Sequence, residues 1–259
     1  MLPYLHVFGL SIPTFGLMLF LATLVAAWVM DRNFHRWHIS ADAVSIVAIA
    51  LFAGIIGAKL WHIVDTPIEF RMLGWKSLWD SGGFAWFGGL VFGISALLIQ
   101  GWTARIGGLR TLDLAAPSAA IGYGVGRIGC LLSGDGCYGV PTQLPWGMSF
   151  PNGIDPIFQR VHPTPLYEFC LALLIALYLW IRGGKPHGTG SLVGQYLVLT
   201  GLARFLVEFI RRNPRVLWGL SNAQLASLGS IVAGLLLIFW SMRKAVQPEP
   251  EADSESLAA

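Results

Sequence analysis

Seven apolar stretches dominate the chain, at 14–30, 41–63, 84–102, 111–132, 165–181, 190–210 and 222–242. Each approaches the roughly 20 apolar residues that a helix needs to cross a bilayer. A helix satisfies its own backbone hydrogen bonds, so repeated runs of this length in lipid predict helices. The expected fold is an all-α polytopic membrane protein of about seven transmembrane helices over residues 1–243. Met1 to Pro13 lacks the basic region of a signal peptide, so the first run is expected to remain as a helix. Residues 133–163 are rich in Gly and Pro and predict an outward-facing loop cap. Residues 64–83 are rich in Trp. Trp75 and Trp79 suit the headgroup level and suggest an interfacial helix. The end of the chain, 244–259, is acidic and poor in apolar residues, which predicts a disordered cytoplasmic tail.

Composition agrees with this pattern. Of 259 residues, 55% are hydrophobic and 12% charged, and the mean hydropathy is +0.63. A soluble domain carries about 25% charged residues. The net charge of +3 is small and dispersed, without the basic stripe of a nucleic-acid binder. Basic pairs follow the first, third, fifth and seventh runs: Arg32 and Arg36, Arg105 and Arg110, Arg182 and Lys185, Arg243 and Lys244. The positive-inside rule makes that side cytoplasmic and the N-terminus external. The bias is modest, because Arg71, Lys76, Arg160, Arg211, Arg212 and Arg215 lie opposite. Of these, Arg211, Arg212 and Arg215 suit the gathering of anionic lipid.

Against this background the polar residues inside apolar runs stand out. Arg127 ends the fourth run, and an arginine at membrane depth requires a partner, a cavity or a substrate. Gly122 and Gly126, just before it, have the GxxxG spacing that allows close helix approach. In the sixth run Arg204, Glu208 and Arg211 are spaced i, i+4, i+7 and share one helix face. Arg204 and Glu208 form either a self-satisfying pair or part of a site. Two arginines meeting in one cavity suit a phosphate, through forked charge-assisted hydrogen bonds. In a membrane that phosphate is a phospholipid headgroup.

His162-Pro163-Thr164-Pro165-Leu166-Tyr167-Glu168 opens the fifth run. His162 there is either a general base or a loop anchor. Glu168 is an intramembrane carboxylate that needs a partner, and Lys59 is one candidate, unless Lys59 snorkels outward. Cys130 and Cys137 flank the end of the fourth run, either as a disulfide in an oxidising compartment or as two small packing residues. Cys170, inside an apolar run, is expected in the core. Three cysteines are too few for a disulfide scaffold. The histidines and cysteines lack ligand-like spacing, so no metal site is expected. No cofactor is expected either.

Taken together, these motifs and their order carry a resemblance. Gly126-Arg127-Ile128-Gly129, Gly134-Asp135-Gly136-Cys137-Tyr138-Gly139, His162 to Glu168, and Arg204 to Arg211 follow one another along the chain. Ile12 to Met18, Phe87-Gly88-Gly89-Leu90 and Asn222-Ala223-Gln224 add to them. The chain resembles the phosphatidylglycerol–prolipoprotein diacylglyceryl transferase family over about 12–240. The resemblance implies seven helices with an external N-terminus, in a bacterial inner membrane, with a site toward the outer leaflet. It implies transfer of a diacylglyceryl group from phosphatidylglycerol to the lipobox cysteine thiol of a pre-lipoprotein. A thioether forms and glycerol phosphate leaves.

By the same resemblance Arg127 and Arg204 are the essential arginines that bind the headgroup phosphate. Gly88, Gly89, Gly126, Gly139, Tyr167, Glu168, Glu208, Arg211 and Gln224 belong to its substrate-binding motifs, with Lys59 beside them. The chain departs from the family pattern at several positions. Phe87 stands where typical members have His, Phe15 where they have Tyr, Cys130 where they have Asn, Asp135 where they have Glu, and Thr200 where they have Tyr. The proton-handling half of the motif is therefore altered. His162, Asp135 or a substrate-assisted route can supply the missing base. Two other readings stand beside this one: a related phospholipid-dependent transferase with a different acceptor, and a non-catalytic lipid-binding or transport protein.

Overall fold

The structure, a computed structural model, describes residues 2–7, 9–74, 76 and 85–246. A hairpin of β1 (Tyr4–Val7) and β2 (Leu10–Pro13) leads into α1 (Thr14–Arg36) and α2 (Ala43–Asp65). The short α3 (Pro67–Leu73) precedes α4 (Trp86–Thr103) and α5 (Gly108–Ser133). A cap containing β3 (Met148–Phe150) and β4 (Ile157–Val161) follows. The chain then forms α6 (Thr164–Gly183), α7 (Ser191–Val207), a 3-10 turn (Glu208–Ile210) and α8 (Asn222–Val246).

The apolar runs become helices within a few residues of their expected ends. α2 starts where Asp42 accepts hydrogen bonds from the Val44 and Ser45 amides (2.9 and 3.2 Å). α6 starts with Pro165 in its first turn, where a missing N–H costs little. α5 stops at Gly134, whose φ of 60° is the left-handed geometry that glycine adopts freely. Among the described residues six helices are long and apolar enough to cross a membrane: α1, α2, α4, α6, α7 with its 3-10 turn, and α8. This makes the chain a polytopic helical membrane protein.

The seventh expected span, α5, differs for a physical reason. Its 26 residues reach about 39 Å, ample for a bilayer. However, it carries Asp113 and Arg127 and does not meet the same standard of apolarity. It packs against α1, α4, α6 and α7, so much of its surface meets protein. The other helices turn large apolar side chains outward, among them Trp28, Phe52, Leu174 and Leu236. Cys170 belongs to that outer face. It is exposed on α6, contrary to its expected place in the core, because in this bundle the outside is apolar too.

At the end of the bundle away from the cap, Asp113 accepts the Gly190 and Val193 amides (2.6 and 2.7 Å) and so holds the start of α7. Asn33 donates to the Leu114 carbonyl at 2.9 Å. Arg36 donates to the Trp180 carbonyl at 2.8 Å and lies over the Trp180 ring. At the other end, the expected loop cap contains an antiparallel pair, β3 and β4, over a small core of Tyr138, Phe150 and Val161. The stretch expected to hold an interfacial helix contains the short α3. Trp75 and Trp79 lie outside the described residues. α8 runs three residues into the expected tail, and 247–259 also lie outside the described residues.

Close helix contacts depend on particular glycines. A Cβ at Gly57 would stand 2.6 Å from the Gly88 carbonyl oxygen, and one at Gly88 would stand 2.2 Å from that of Gly57. α2 and α4 therefore touch backbone to backbone. Gly122 packs on Ala22 and Ala26 of α1 as its motif suggests, but a Cβ at Gly126 would meet nothing within 4 Å. Gly126 is thus not a packing glycine. Gly57→Ala should lower stability by about 1–3 kcal/mol through overpacking. Gly126→Ala should be neutral or raise stability by up to about 1 kcal/mol through helix propensity. Thermal unfolding in detergent checks both.

Candidate functional site

The polar residues of the inner helices meet at the cap end of the bundle, around one buried carboxylate. Glu168 lies in the second turn of α6 and is 3% exposed. Its Oε2 is 3.2 Å from Arg127 Nε and 3.4 Å from Arg211 Nη1. Its Oε1 is 3.5 Å from Arg204 Nη1 and accepts the Tyr123 hydroxyl at 3.0 Å. Two segments that are remote in sequence, α5 and the end of α7, thus bring three guanidinium groups to one carboxylate on α6. The Tyr123 ring lies 4.8 Å from the Arg127 guanidinium carbon, a cation–π contact from the same helix.

Glu208 provides the second negative charge. α7 tightens there into the 3-10 turn, and the arginine–glutamate face predicted from helical spacing survives. Glu208 Oε2 lies 2.6 Å from Arg204 Nη1 and 3.7 Å from Arg211 Nε. Its Oε1 accepts Asn213 Nδ2 at 2.7 Å and the Ser221 hydroxyl at 2.6 Å. The cluster therefore holds three arginines against two carboxylates, a net charge of +1. Arg127 Nε and Arg204 Nη1 lie close to carboxylate oxygens but are not aligned for hydrogen bonding. The Arg127 and Arg204 side chains are 19% and 23% exposed, whereas those of Glu168 and Glu208 are 3% and 0% exposed. The negative charges are sealed in and positive charge remains accessible. An anion fits that arrangement.

The cap places the remaining motif residues around this cluster. Gly139 forms a bridge with Arg211 and donates its amide to the His162 carbonyl at 2.8 Å. A Cβ on Gly139 would stand 2.4 Å from the Ile210 carbonyl oxygen, so only glycine lets these strands meet. His162 Nδ1 lies 3.3 Å from the Tyr167 hydroxyl, which accepts Trp146 Nε1 at 2.8 Å. Gln224, fully buried, accepts Arg215 Nη1 at 2.6 Å and the Ser221 amide at 3.1 Å. Arg212 lies 5.6 Å from the Tyr138 ring. Arg211, Arg212 and Arg215 thus each have a partner in the protein, while Arg212 and Arg215 remain exposed.

Asp135 and the two cysteines form a group of their own beside Arg127. Arg127 Nη1 donates to Cys130 Sγ at 3.7 Å and to Cys137 Sγ at 3.8 Å. Both cysteines are free thiols. The Cys137 amide donates to Asp135 Oδ1 at 3.2 Å. Interaction with Cys130 pulls the Cys137 thiol below its ordinary value. Burial and Asp135 oppose this, and the Arg211 charge assists it.

Lys59, suggested as the partner of Glu168, is buried on α2, and the places around Glu168 go to Tyr123 and the three arginines instead. Gly88 sits in the α2–α4 contact. Gly89 lines a groove of about 400 Å³ with Ala58, Ala85, Trp86 and Leu90. Sequence reasoning missed Tyr123, Asn213 and Ser221. Tyr123 was detectable as a polar residue one helical turn before Arg127, on the same face. Asn213 and Ser221 lie in a polar connection and gave no periodic signal. Glu168→Gln keeps the volume but removes the charge that three arginines share. Breaking such a buried pair costs about 3–5 kcal/mol. A marked fall in the detergent unfolding midpoint is expected, larger than that of Gln224→Glu or any single change in the Trp146–Tyr167–His162 chain.

Comparison with known proteins identifies the family. The prolipoprotein diacylglyceryl transferase family matches residues 3–240. The phosphatidylglycerol–prolipoprotein diacylglyceryl transferase of Clostridium tetani is 33% identical over 242 residues, covering 90% of this chain and 94% of the relative. The enzyme of the same name from Aliivibrio fischeri is 32% identical, covering 93% and 90%. That of Pseudomonas putida strain F1 is 30% identical, covering 96% and 100%. With the match spanning nearly all described helices and every arginine of the cluster, this chain belongs to the prolipoprotein diacylglyceryl transferase family.

Proposed function

We propose that this protein transfers the diacylglyceryl group of phosphatidylglycerol to the cysteine thiol of a prolipoprotein lipobox. The observation that carries the reading is the arginine cluster around Glu168, with its surplus positive charge and its two partly open guanidinium groups. In this reading the lipid phosphate approaches Arg127 and Arg204. The acceptor sulfur attacks the glycerol carbon and forms a C–S bond. The C–O bond to phosphate breaks, and glycerol phosphate departs with the electron pair. Negative charge grows on the phosphate as the bond breaks, so fixed cations there favour the transition state over the ground state. Glu168 and Glu208 hold the guanidinium groups in position and keep them from collapsing onto the leaving group.

The bilayer arrangement follows from the same reading. α5 is the seventh span, the cap faces outward, the C-terminus is cytoplasmic, and the membrane is the bacterial inner membrane. The apolar groove of Ala58, Ala85, Trp86, Gly89 and Leu90 suits an acyl chain of the donor. Gly126, with open space at its Cβ position beside Arg127, suits close approach of the headgroup. The attacking species is the thiolate, so the acceptor must lose a proton. Phe87 cannot accept it. His162, held through Tyr167, and Asp135, beside Arg127, are the groups available for that work.

The test is a transfer assay with purified protein, phosphatidylglycerol and a lipobox peptide, read by mass as a thioether-linked diacylglyceryl peptide. Arg127→Ala and Arg204→Ala should each reduce the rate by about 10²–10³-fold, the cost of deleting one transition-state donor. Lipid turnover without peptide modification would assign a different acceptor. Lipid binding without turnover would make the protein a binder. His162→Ala should lower the rate by about 10²-fold or more if it is the base. An unchanged rate would remove His162 from that role.

A further inference from the structure

Cys130 and Cys137, which the transfer chemistry above leaves without a task, form a group with Asp135. One ligand atom from each lies within 4.8 Å of the others. Spacing alone does not predict this group, because a spacing of seven residues between cysteines does not match common ligand patterns. The fold creates the proximity. Cys130 is buried in the last turn of α5, and the chain then reverses through Gly134 and Gly136, both with positive φ (60° and 82°). A Cβ at Gly134 would stand 2.7 Å from the Gly153 Cα, and one at Gly136 would stand 2.8 Å from an Asp155 carboxylate oxygen. The returning segment is pinned beyond the turn: Thr164 donates to the Cys137 carbonyl at 2.5 Å, and Tyr138 stacks on Phe150. The two sulfurs and the carboxylate are therefore held together by rigid parts of the cap.

We propose that Cys130, Asp135 and Cys137 bind one thiophilic divalent cation, of which zinc is the type, and that its open position takes the acceptor thiol. This rests on the transferase reading above. Two thiolates and a carboxylate are a normal zinc donor set, and three protein ligands leave a fourth position open. Ligands at about 2.3 Å in a tetrahedron lie about 3.8 Å apart, compatible with the separations within 4.8 Å. The charge also balances. Three negative ligands and a divalent cation leave one negative charge, and Arg127, which already donates to both sulfurs, faces it. The location then gives the metal a function. A thiol that coordinates zinc is deprotonated outright. Its proton passes to water or to His162, and the metal-bound sulfur stands beside the arginine that would hold the lipid phosphate. The sulfur forms the C–S bond, the phosphate leaves, and the thioether, a weaker ligand than a thiolate, releases the metal position. This supplies the thiolate that Phe87 cannot.

The experiment uses the full-length protein purified in detergent under reducing conditions, stripped with chelator and titrated with Zn²⁺ and, separately, with Co²⁺. One metal per chain should bind, and cobalt should give the visible bands of a thiolate-bound tetrahedral ion. Cys137→Ser and Asp135→Asn should weaken zinc binding at least about 100-fold, as even outer-shell changes at such sites cost 10–100-fold. Cys170→Ser, on the outer face of α6, should bind zinc as the unaltered protein does. Lipobox-peptide transfer should fall at least about tenfold in the stripped protein and return with zinc. No stoichiometric binding, binding unchanged in Cys137→Ser, or a Cys130–Cys137 disulfide that persists under reduction overturns the proposal. Metal binding with full transfer activity in the stripped protein overturns the activating role. In either case intact transfer leaves the transferase reading standing, whereas no transfer under any metal condition, with metal bound, counts against that reading instead.

Discussion

A carboxylate sealed inside a membrane bundle must be paired, and the organisation of this protein follows from how Glu168 is paired. It takes Arg127 from α5, Arg204 from α7 and Arg211 from the segment beyond it. Without these partners its burial would cost several kcal/mol. Without Glu168 three arginines would repel one another at membrane depth. The ion cluster and the helix arrangement therefore require each other. α5, α6 and α7 must keep the positions that let these side chains meet, and the cap must seal them from above through Gly139, His162 and Arg211.

The same constraint explains the character of α5. A helix that carries Asp113 at one end and Arg127 at the other cannot present those faces to lipid. It packs against α1, α4, α6 and α7 and serves both ends: Asp113 fixes the start of α7, and Arg127 builds the site. The two carboxylates do not fully neutralise the three arginines. The remaining charge is a property of the whole cluster, and it lies where the guanidinium groups retain access. In this account anion binding follows from the way the fold stabilises itself.

Much of this was legible in the sequence, for identifiable reasons. Membrane helices are read from length and hydropathy alone, so every apolar run became a helix. Arg127, Glu168, Arg204, Glu208 and Arg211 were conspicuous because charges inside apolar runs are costly. The pairing was not legible. Lys59 was the candidate named for Glu168, and tertiary packing brought the three arginines to it instead. Cys170 was misplaced because an apolar neighbourhood means the core in water but either core or surface in lipid. Gly126 was read as a packing glycine from its spacing with Gly122, yet Gly122 and Gly129 pack on α1 while a Cβ at Gly126 would meet nothing within 4 Å. The proximity of Cys130, Asp135 and Cys137 depends on two positive-φ glycines and a folded cap, which no local pattern encodes.

Phosphate recognition by the cluster around Glu168 is the central requirement of the proposed reaction. Phosphorus NMR of glycerol phosphate titrated with the purified protein reads that recognition without an acceptor, a metal or turnover. A saturable shift of the phosphorus resonance is predicted with the unaltered protein, lost in Arg204→Gln with the fold preserved. A resonance that does not move, or one that moves equally with Arg204→Gln, would contradict the assignment of the arginine cluster as the phosphate site.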